Sequence, residues 1–416
     1  MITDEPKGDY GDSLTVRFRG QTCSATVSVD ATVLNSSLTK LTLAPVHDAA
    51  HLSLVTFAYT KDDTRDVLLR MVLTPNAASA RGLLYALLAV SSLHRHGLCQ
   101  EALSYKIAAL RALSTSVTNV TKDTSEATQH VAASMLLCAF EILEPTHGSG
   151  DWLCYLQGAI DLIHEADLKA KSDEADIGTM LDWVYYHDTL ARFTIRHWQH
   201  KKMYSPASDV HNLPLRERPY PSLTLHSSNP EHSILNLLSD VCDTVVDPRD
   251  PKSRERDYQD RLAALKESIS NLPFLSLKDN LPSESNAHVQ ITLELHQLST
   301  LIYLVRVSQN PWEAVPDLQL LVDWAFAVPI QAPACAHFFP LFVLACEART
   351  DEQRTAILAL LRRTEKAIYG RRRHISSLIQ SVWVQQDLYA DGEVMLNYAA
   401  VMNVAINANL ALPTFV

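Results

Sequence analysis

The sequence predicts an all-α protein, a large multi-helix bundle of packed antiparallel helix pairs. Three observations carry this. Apolar residues recur at helical spacing over most of the chain. Helix start and stop residues sit at the ends of those runs. Proline-dense segments separate them, as at Pro206, Pro214, Pro219, Pro221 and Pro230. The clearest run is 151–166, where Trp152, Tyr155, Leu156, Ala159, Ile160 and Ile163 stand at i, i+3, i+4, i+7, i+8 and i+11. The run before it, 126–144, is apolar almost all round, as a helix buried on several sides must be. Only Pro145 to Gly150 separate the two, so they are expected to form an antiparallel pair. Gly158 in the second run costs about 1 kcal/mol against alanine; close approach of a neighbouring helix is its expected reason, with plain tolerance the alternative.

A single all-helical domain is expected over 47–416, preceded by an N-terminal extension over 1–46. In the extension Leu14, Val16 and Phe18 alternate with polar residues, as do Val27 and Val29. That is a β-hairpin pattern, equally compatible with an unstructured leader. Thr74-Pro75 supplies an N-cap and a first-turn proline for a helix that ends at Gly97, a C-cap glycine. A second helix is predicted over 99–117, followed by the 126–166 pair. A long one over 177–200 follows, with Trp183, Tyr186, Leu190 and Phe193 on one face. Residues 201–230 read as a long surface loop or an internal boundary. Helices follow at 231–246, 254–271 and 286–308, with loops at 247–253 and 273–285. Thr350 with Gln353 three residues on is a capping box; it opens a helix whose apolar stripe is Ile357, Leu360, Leu361 and Ile368. The apolar tail 394–416 is expected to pack back on the bundle.

Composition narrows the function. The chain has 416 residues, 47% hydrophobic and 20% charged, a globular balance with ample material for a core. Its net charge is -11. Binding a phosphate backbone requires a concentrated basic surface, so no direct nucleic-acid contact is expected. The seven cysteines are scattered, with no Cys-x-x-Cys pair, and read as free thiols in a reducing compartment rather than zinc ligands. No apolar run reaches the roughly 18 residues of a membrane span, and no secretory signal opens the chain.

Three blocks resemble a known family. They are Met135 to Glu144 with Trp152 to Ala159, then Trp183 to Ala191, then Phe338 to Arg349 followed by Thr350 to Arg354. In this order they resemble the fungal-specific transcription factor domain, the helical regulatory region that stands behind a zinc binuclear cluster. The resemblance covers roughly 75–386. A zinc cluster would bring six closely spaced cysteines near the N-terminus; only Cys23 stands there. The resemblance implies nuclear regulation of a metabolic or secondary-metabolite gene set; the cytoplasm is the alternative location. Lacking its own DNA-binding module, the chain is expected to act through a zinc-cluster protein or as a homodimer, biased by a small-molecule effector. A coding sequence short of its first exon is the other explanation.

Site candidates are few. Asp62, Asp63 and Asp66 spell Asp-Asp-x-x-Asp, which in a helical protein invites a Mg²⁺–diphosphate reading. The required second acidic motif is missing, and a solvated acidic turn is the preferred reading. His47 with His51, and His197 with His200, have zinc-compatible spacing without a metalloprotease's adjacent base. His187 and Asp188 are neighbours on a helix and face different ways. Glycine-rich phosphate loops and nucleophile elbows are absent from the sequence. Arg362, Arg363, Arg371, Arg372 and Arg373 could form a nuclear-import patch, although the charged face of a late helix explains them more simply. Glu141, Trp152, His187, Glu347 and Arg349 are polar or amphipathic groups inside apolar helices. They are candidates for a ligand pocket or, preferably, for buried pairs that hold helices in register. No cofactor is expected and a catalytic role is disfavoured. The rivals are a bundle co-opted as a small-molecule binder or enzyme, and a helical scaffold with no ligand. An apolar cavity above about 300 Å³ with converging polar groups would favour the binder.

Overall fold

The computed structural model describes residues 13–18, 21–26, 61–73, 78–116, 123–144, 150–198, 232–272, 284–310, 318–327, 330, 337–367, 372–388, 398–408 and 412–415. The fold is all-α, with fourteen α-helices among these residues. Ahead of them the backbone traces an antiparallel strand pair, β1 (Ser13–Phe18) and β2 (Gln21–Thr26), whose side chains lie outside the described set. Two compact units divide the helices.

The first unit holds α1 (Lys61–Val72), α2 (Ala78–His96), α3 (Gln100–Ser116), α4 (Thr124–Leu143) and α5 (Asp151–Glu165). It also holds the beginning of α6 (Ala175–His197), as far as Val184. Helix α2 packs on both α3 and α4, and α4 pairs with α5. Thr74-Pro75 lies outside the described residues; Gly97 ends α2 as expected, at φ 69° with its N–H on the Leu93 carbonyl (2.9 Å). Helix α4 is capped by Asp123, whose carboxylate accepts from the Ser125 N–H at 2.9 Å. Its apolar circumference is buried from Ala127 to Ile142. The inward stripe of α5, from Trp152 through Leu156 to Ile163, is buried too. Gly158 is buried. At Gly82 a Cβ would lie 2.8–2.9 Å from the Leu113 side chain of α3, so helices approach closely there.

The second unit holds the rest of α6, from Tyr185, and α7 (Ser233–Thr244), α8 (Arg256–Ser270), α9 (Glu284–Val307) and α10 (Gln319–Ala327). It continues with α11 (Phe338–Glu347), α12 (Asp351–Ala367), α13 (Arg372–Leu388) and α14 (Tyr398–Asn407). The loop predicted over 201–230 falls outside the described residues. Two helices are central. In α11 every residue from Phe338 to Glu347 is buried. In α9 the face that would be polar on a surface helix is enclosed instead, with Thr292, His296, Gln297, Ser299 and Thr300 all buried. The apolar tail does return to the bundle: α14 packs on α13 and α9, and Phe415 is fully buried.

The capping box forms reciprocally. Gln353 N–H donates to Thr350 Oγ1 at 3.3 Å, and Gln353 Oε1 accepts from the backbone N–H groups of Thr350 (3.3 Å) and Arg349 (2.9 Å). The C-terminal ends of α7, α8 and α11 are closed differently. Trp383 Nε1 and Gln386 Nε2 of α13 donate to the Ala345 (2.9 Å) and Cys346 (2.7 Å) carbonyls that end α11. Gln297 of α9 donates to Ile269 and Leu272 at the end of α8 (2.7 and 3.1 Å). Arg196 of α6 donates to the Cys242 carbonyl of α7 at 3.0 Å. A helix C-terminus leaves four carbonyls without intrahelical donors. At these three ends side chains from adjacent helices supply donors to one or two of them.

Candidate functional site

The polar interior of the second unit is the most developed candidate. Helix α6 brings Tyr186, His187, Phe193 and His197 into its core, all buried. Helix α9 adds His296 and Tyr303, and His337 stands at the N-terminal end of α11. Tyr186 Oη and His337 Nδ1 share a hydrogen bond of 2.6 Å. The His296 ring packs edge-on against both, with centroids 6.5 and 5.1 Å away. His296 Nδ1 bonds to the Thr292 carbonyl at 3.0 Å; a carbonyl can only accept, so Nδ1 carries the proton. Burial lowers this imidazole to about 4, so it is neutral near pH 7.

A second chain of polar groups runs through His197. Its Nδ1 lies 2.7 Å from Asn403 Oδ1 on α14 and its Nε2 lies 2.7 Å from Tyr303 Oη on α9. An amide oxygen only accepts, so Nδ1 donates and Nε2 accepts the Tyr303 proton. Burial holds His197 down to about 3, hence neutral. Burial also drives the Tyr303 hydroxyl well above its ordinary range. Around these rings Phe193 packs on Tyr303, Phe339 and Phe415 with centroids 5.0–5.2 Å apart. These aromatics fill the layer as a core.

The charges predicted inside helices divide between the two units. Glu347 is gripped by Arg306 of α9 in a two-pronged pair, Nε to Oε1 at 3.1 Å and Nη2 to Oε2 at 2.9 Å. Arg349 stands exposed, its backbone N–H in the capping box. In the first unit Glu141 accepts from Lys106 of α3. Burial raises the Glu141 carboxyl and the Lys106 charge opposes that rise. Lys106 also lies over the Phe140 ring, 5.2 Å from its centroid. Trp152 is buried in the first turn of α5. His187 of the second unit is buried on α6 next to Tyr186. Glu141 and Trp152 thus belong to the first unit, and His187, Glu347 and Arg349 to the second.

The remaining candidates are peripheral. The side chains of Asp62 and Asp63 lie outside the described residues, as do His47, His51 and His200. Asp66 is exposed and accepts from Arg65 at 2.9 Å. Among the described residues no group of three His, Cys, Asp or Glu is placed to hold a metal ion. Arg362 is exposed near the end of α12, and Arg363 donates to the Ile330 carbonyl at 2.9 Å. Arg371 lies outside the described residues; Arg372 and Arg373 open α13, their side chains likewise outside. An open groove of about 460 Å³ runs along α12 between Ile330, Asp351, Glu352, Thr355 and Arg363. It faces solvent, with Asp351, Glu352 and Arg363 beside the apolar Ala356 and Ala359. No helix among the described residues is long and apolar enough to cross a membrane.

Lys106, Arg306, Tyr303 and Asn403 were not legible as partners in the sequence. The available signal was the run of polar residues Thr292, His296, Gln297, Ser299 and Thr300 inside an apolar helix.

The described residues form an all-helical fold in which buried carboxylates such as Glu141 and Glu347 are paired with cations on neighbouring helices. The chain belongs to the fungal specific transcription factor domain family, whose sequence profile matches residues 52–411. It is 33% identical over 369 residues to the transcription factor iacI of Pestalotiopsis fici (strain W106-1 / CGMCC3.15140), covering 88% of this chain and 92% of that protein. No solved structure matches it.

Proposed function

We propose that this chain regulates transcription in the nucleus, controlling a metabolic or secondary-metabolite gene set. In this reading the bundle is the regulating part and DNA contact is made by a partner's module. The family match over residues 52–411, nearly the whole helical region, carries the reading. A relative that is itself named a transcription factor and aligns over most of both chains supports it. The partner-borne DNA contact follows from charge and chemistry. The net charge of -11 disfavours phosphate-backbone binding, and the 416 residues contain no Cys-x-x-Cys pair to ligate zinc. A zinc-cluster protein with a similar helical bundle, or a second copy of this chain acting with such a protein, fits that role. A small-molecule effector would act by favouring one conformation of the bundle.

Deleting the gene, then measuring transcripts and metabolites together, tests this. The expected result is a coordinated change in a defined transcript set, with a tagged copy of the chain recovered in chromatin at those genes. Accumulation of one metabolite with transcripts unchanged would overturn regulation in favour of an enzyme or small-molecule binder.

A further inference from the structure

We infer that the outer face of α12 is where two copies of this chain meet, as an antiparallel helix pair about a twofold axis. The face consists of Glu352, Thr355, Ala356, Ala359 and Arg363, which line the solvent-facing groove of about 460 Å³. They fall at i, i+3, i+4, i+7 and i+11, one stripe of a helix. Glu352 and Thr355 are exposed, and Ala356, Ala359 and Arg363 are half-buried. The other side of α12, with Ile357, Leu360 and Leu361, is buried in the core of the second unit.

Charge, order and size along this stripe point to a second copy as the occupant. Asp351 and Glu352 stand at one end of the groove. Arg363 stands at the other, three turns and about 16 Å away. Its Nη2 donates to the Ile330 carbonyl at 2.9 Å, which holds the charge at the groove wall. Positions 352 and 363 are centred on the same point of the helix as 356 and 359. Laid antiparallel on its own copy, α12 therefore brings Glu352 opposite Arg363 of the second copy in the register that sets Ala356 opposite Ala359. One register makes two charge pairs and puts alanine on alanine at the crossing. Side chains this small let helix axes approach to about 8 Å. Acids in a first turn also suit the helix dipole, but the dipole asks nothing of Ala356, Ala359 or Arg363. A twofold contact uses the same patch on both copies, and this stripe is complementary to itself. One three-turn pair is smaller than a standard interface, so the dimer is weak, with a dissociation constant on the order of 10–100 μM.

The inference deepens the regulatory reading by naming the face through which two copies act together, and rests on that reading only for its purpose. Self-association of the purified chain is measured whether or not the chain controls transcription, so the two can fail separately.

Sedimentation velocity of the full chain over about 2 to 200 μM is the test. The average mass should rise from that of one chain towards that of two. Glu352→Arg sets arginine against arginine twice across the axis, and Arg363→Glu sets glutamate against glutamate twice. Each should weaken self-association at least about tenfold. Mixed in equal amounts, the two variants should associate again, because each supplies the charge that the other has lost. A chain carrying both exchanges should dimerise like the parent. Ala359→Trp leaves every charge in place and should abolish the dimer by holding the helices apart. A single-chain mass at every concentration of the unmodified chain would overturn the inference and leave this face to a foreign helix; that comparison decides by itself if a variant does not fold. Dimers that survive both single exchanges, or folded variants that fail to associate when mixed, would overturn it equally.

Discussion

Arg306 encloses a carboxylate that water cannot reach: Glu347 is only 5% exposed and both its oxygens are held by the guanidinium. Arg306→Met would leave that charge buried and unpaired, at a cost of about 3–5 kcal/mol in urea unfolding. Adding Glu347→Leu to the same chain should restore most of the loss, because an apolar pair needs no desolvated charge. The buried histidines give a pH prediction at the same scale. His197 is lowered to about 3, and His130 and His296 to about 4, each by burial. In the unfolded chain they titrate near 6.5. The unfolded state therefore binds more protons between the two values, and stability falls as pH falls below about 6.5. At pH 5.5 each histidine should cost on the order of 1 kcal/mol relative to pH 7.5. Glu141, raised by burial, works in the opposite sense and favours the folded state as pH falls. Urea midpoints at the two pH values check the balance; a midpoint that rises on acidification would contradict it.

At the level of elements, glycine shortage shapes how helices end and how they approach. Gly97 closes α2 with its own left-handed backbone, while α7, α8 and α11 rely on Arg196, Gln297, Trp383 and Gln386 from neighbouring helices. Such caps exist only after helices have packed, so helix termination here is coupled to tertiary assembly. Gly82 shows the other use. Its missing Cβ lets α2 sit against Leu113 of α3. Gly82→Ala gains about 1 kcal/mol of helix propensity but drives a methyl into the buried Leu113 side chain, an overpacking cost of about 1–3 kcal/mol. We expect a net loss in thermal stability, reversed by combining it with Leu113→Ala relative to Leu113→Ala alone. A Gly82→Ala chain as stable as the parent would show that Leu113 gives way freely.

At the scale of the whole molecule, the expected behaviour follows from net charge and from family membership. A chain with net charge -11 that neutralises few phosphates should not retard duplex DNA at about 150 mM salt. It should retard the DNA only in the presence of a zinc-cluster partner. Tight binding of the purified chain alone, weakening steeply with salt, would contradict the partner-dependent reading. A tagged chain that stays outside the nucleus throughout growth would contradict nuclear regulation as well.

The sequence by itself determined that the chain is helical, where most of its described helices lie, and which family it belongs to. Periodicity and caps such as Thr350 with Gln353 are local, and the physics that selects them acts within one or two turns. It also showed that Glu141 and Glu347 need partners, since a charge among apolar neighbours is costly alone. Only the tertiary structure decided who those partners are. Lys106 lies 35 residues from Glu141, Arg306 41 residues from Glu347 and Asn403 206 residues from His197. Helix packing brings these pairs together, and nothing in the spacing along the chain encodes which faces will meet.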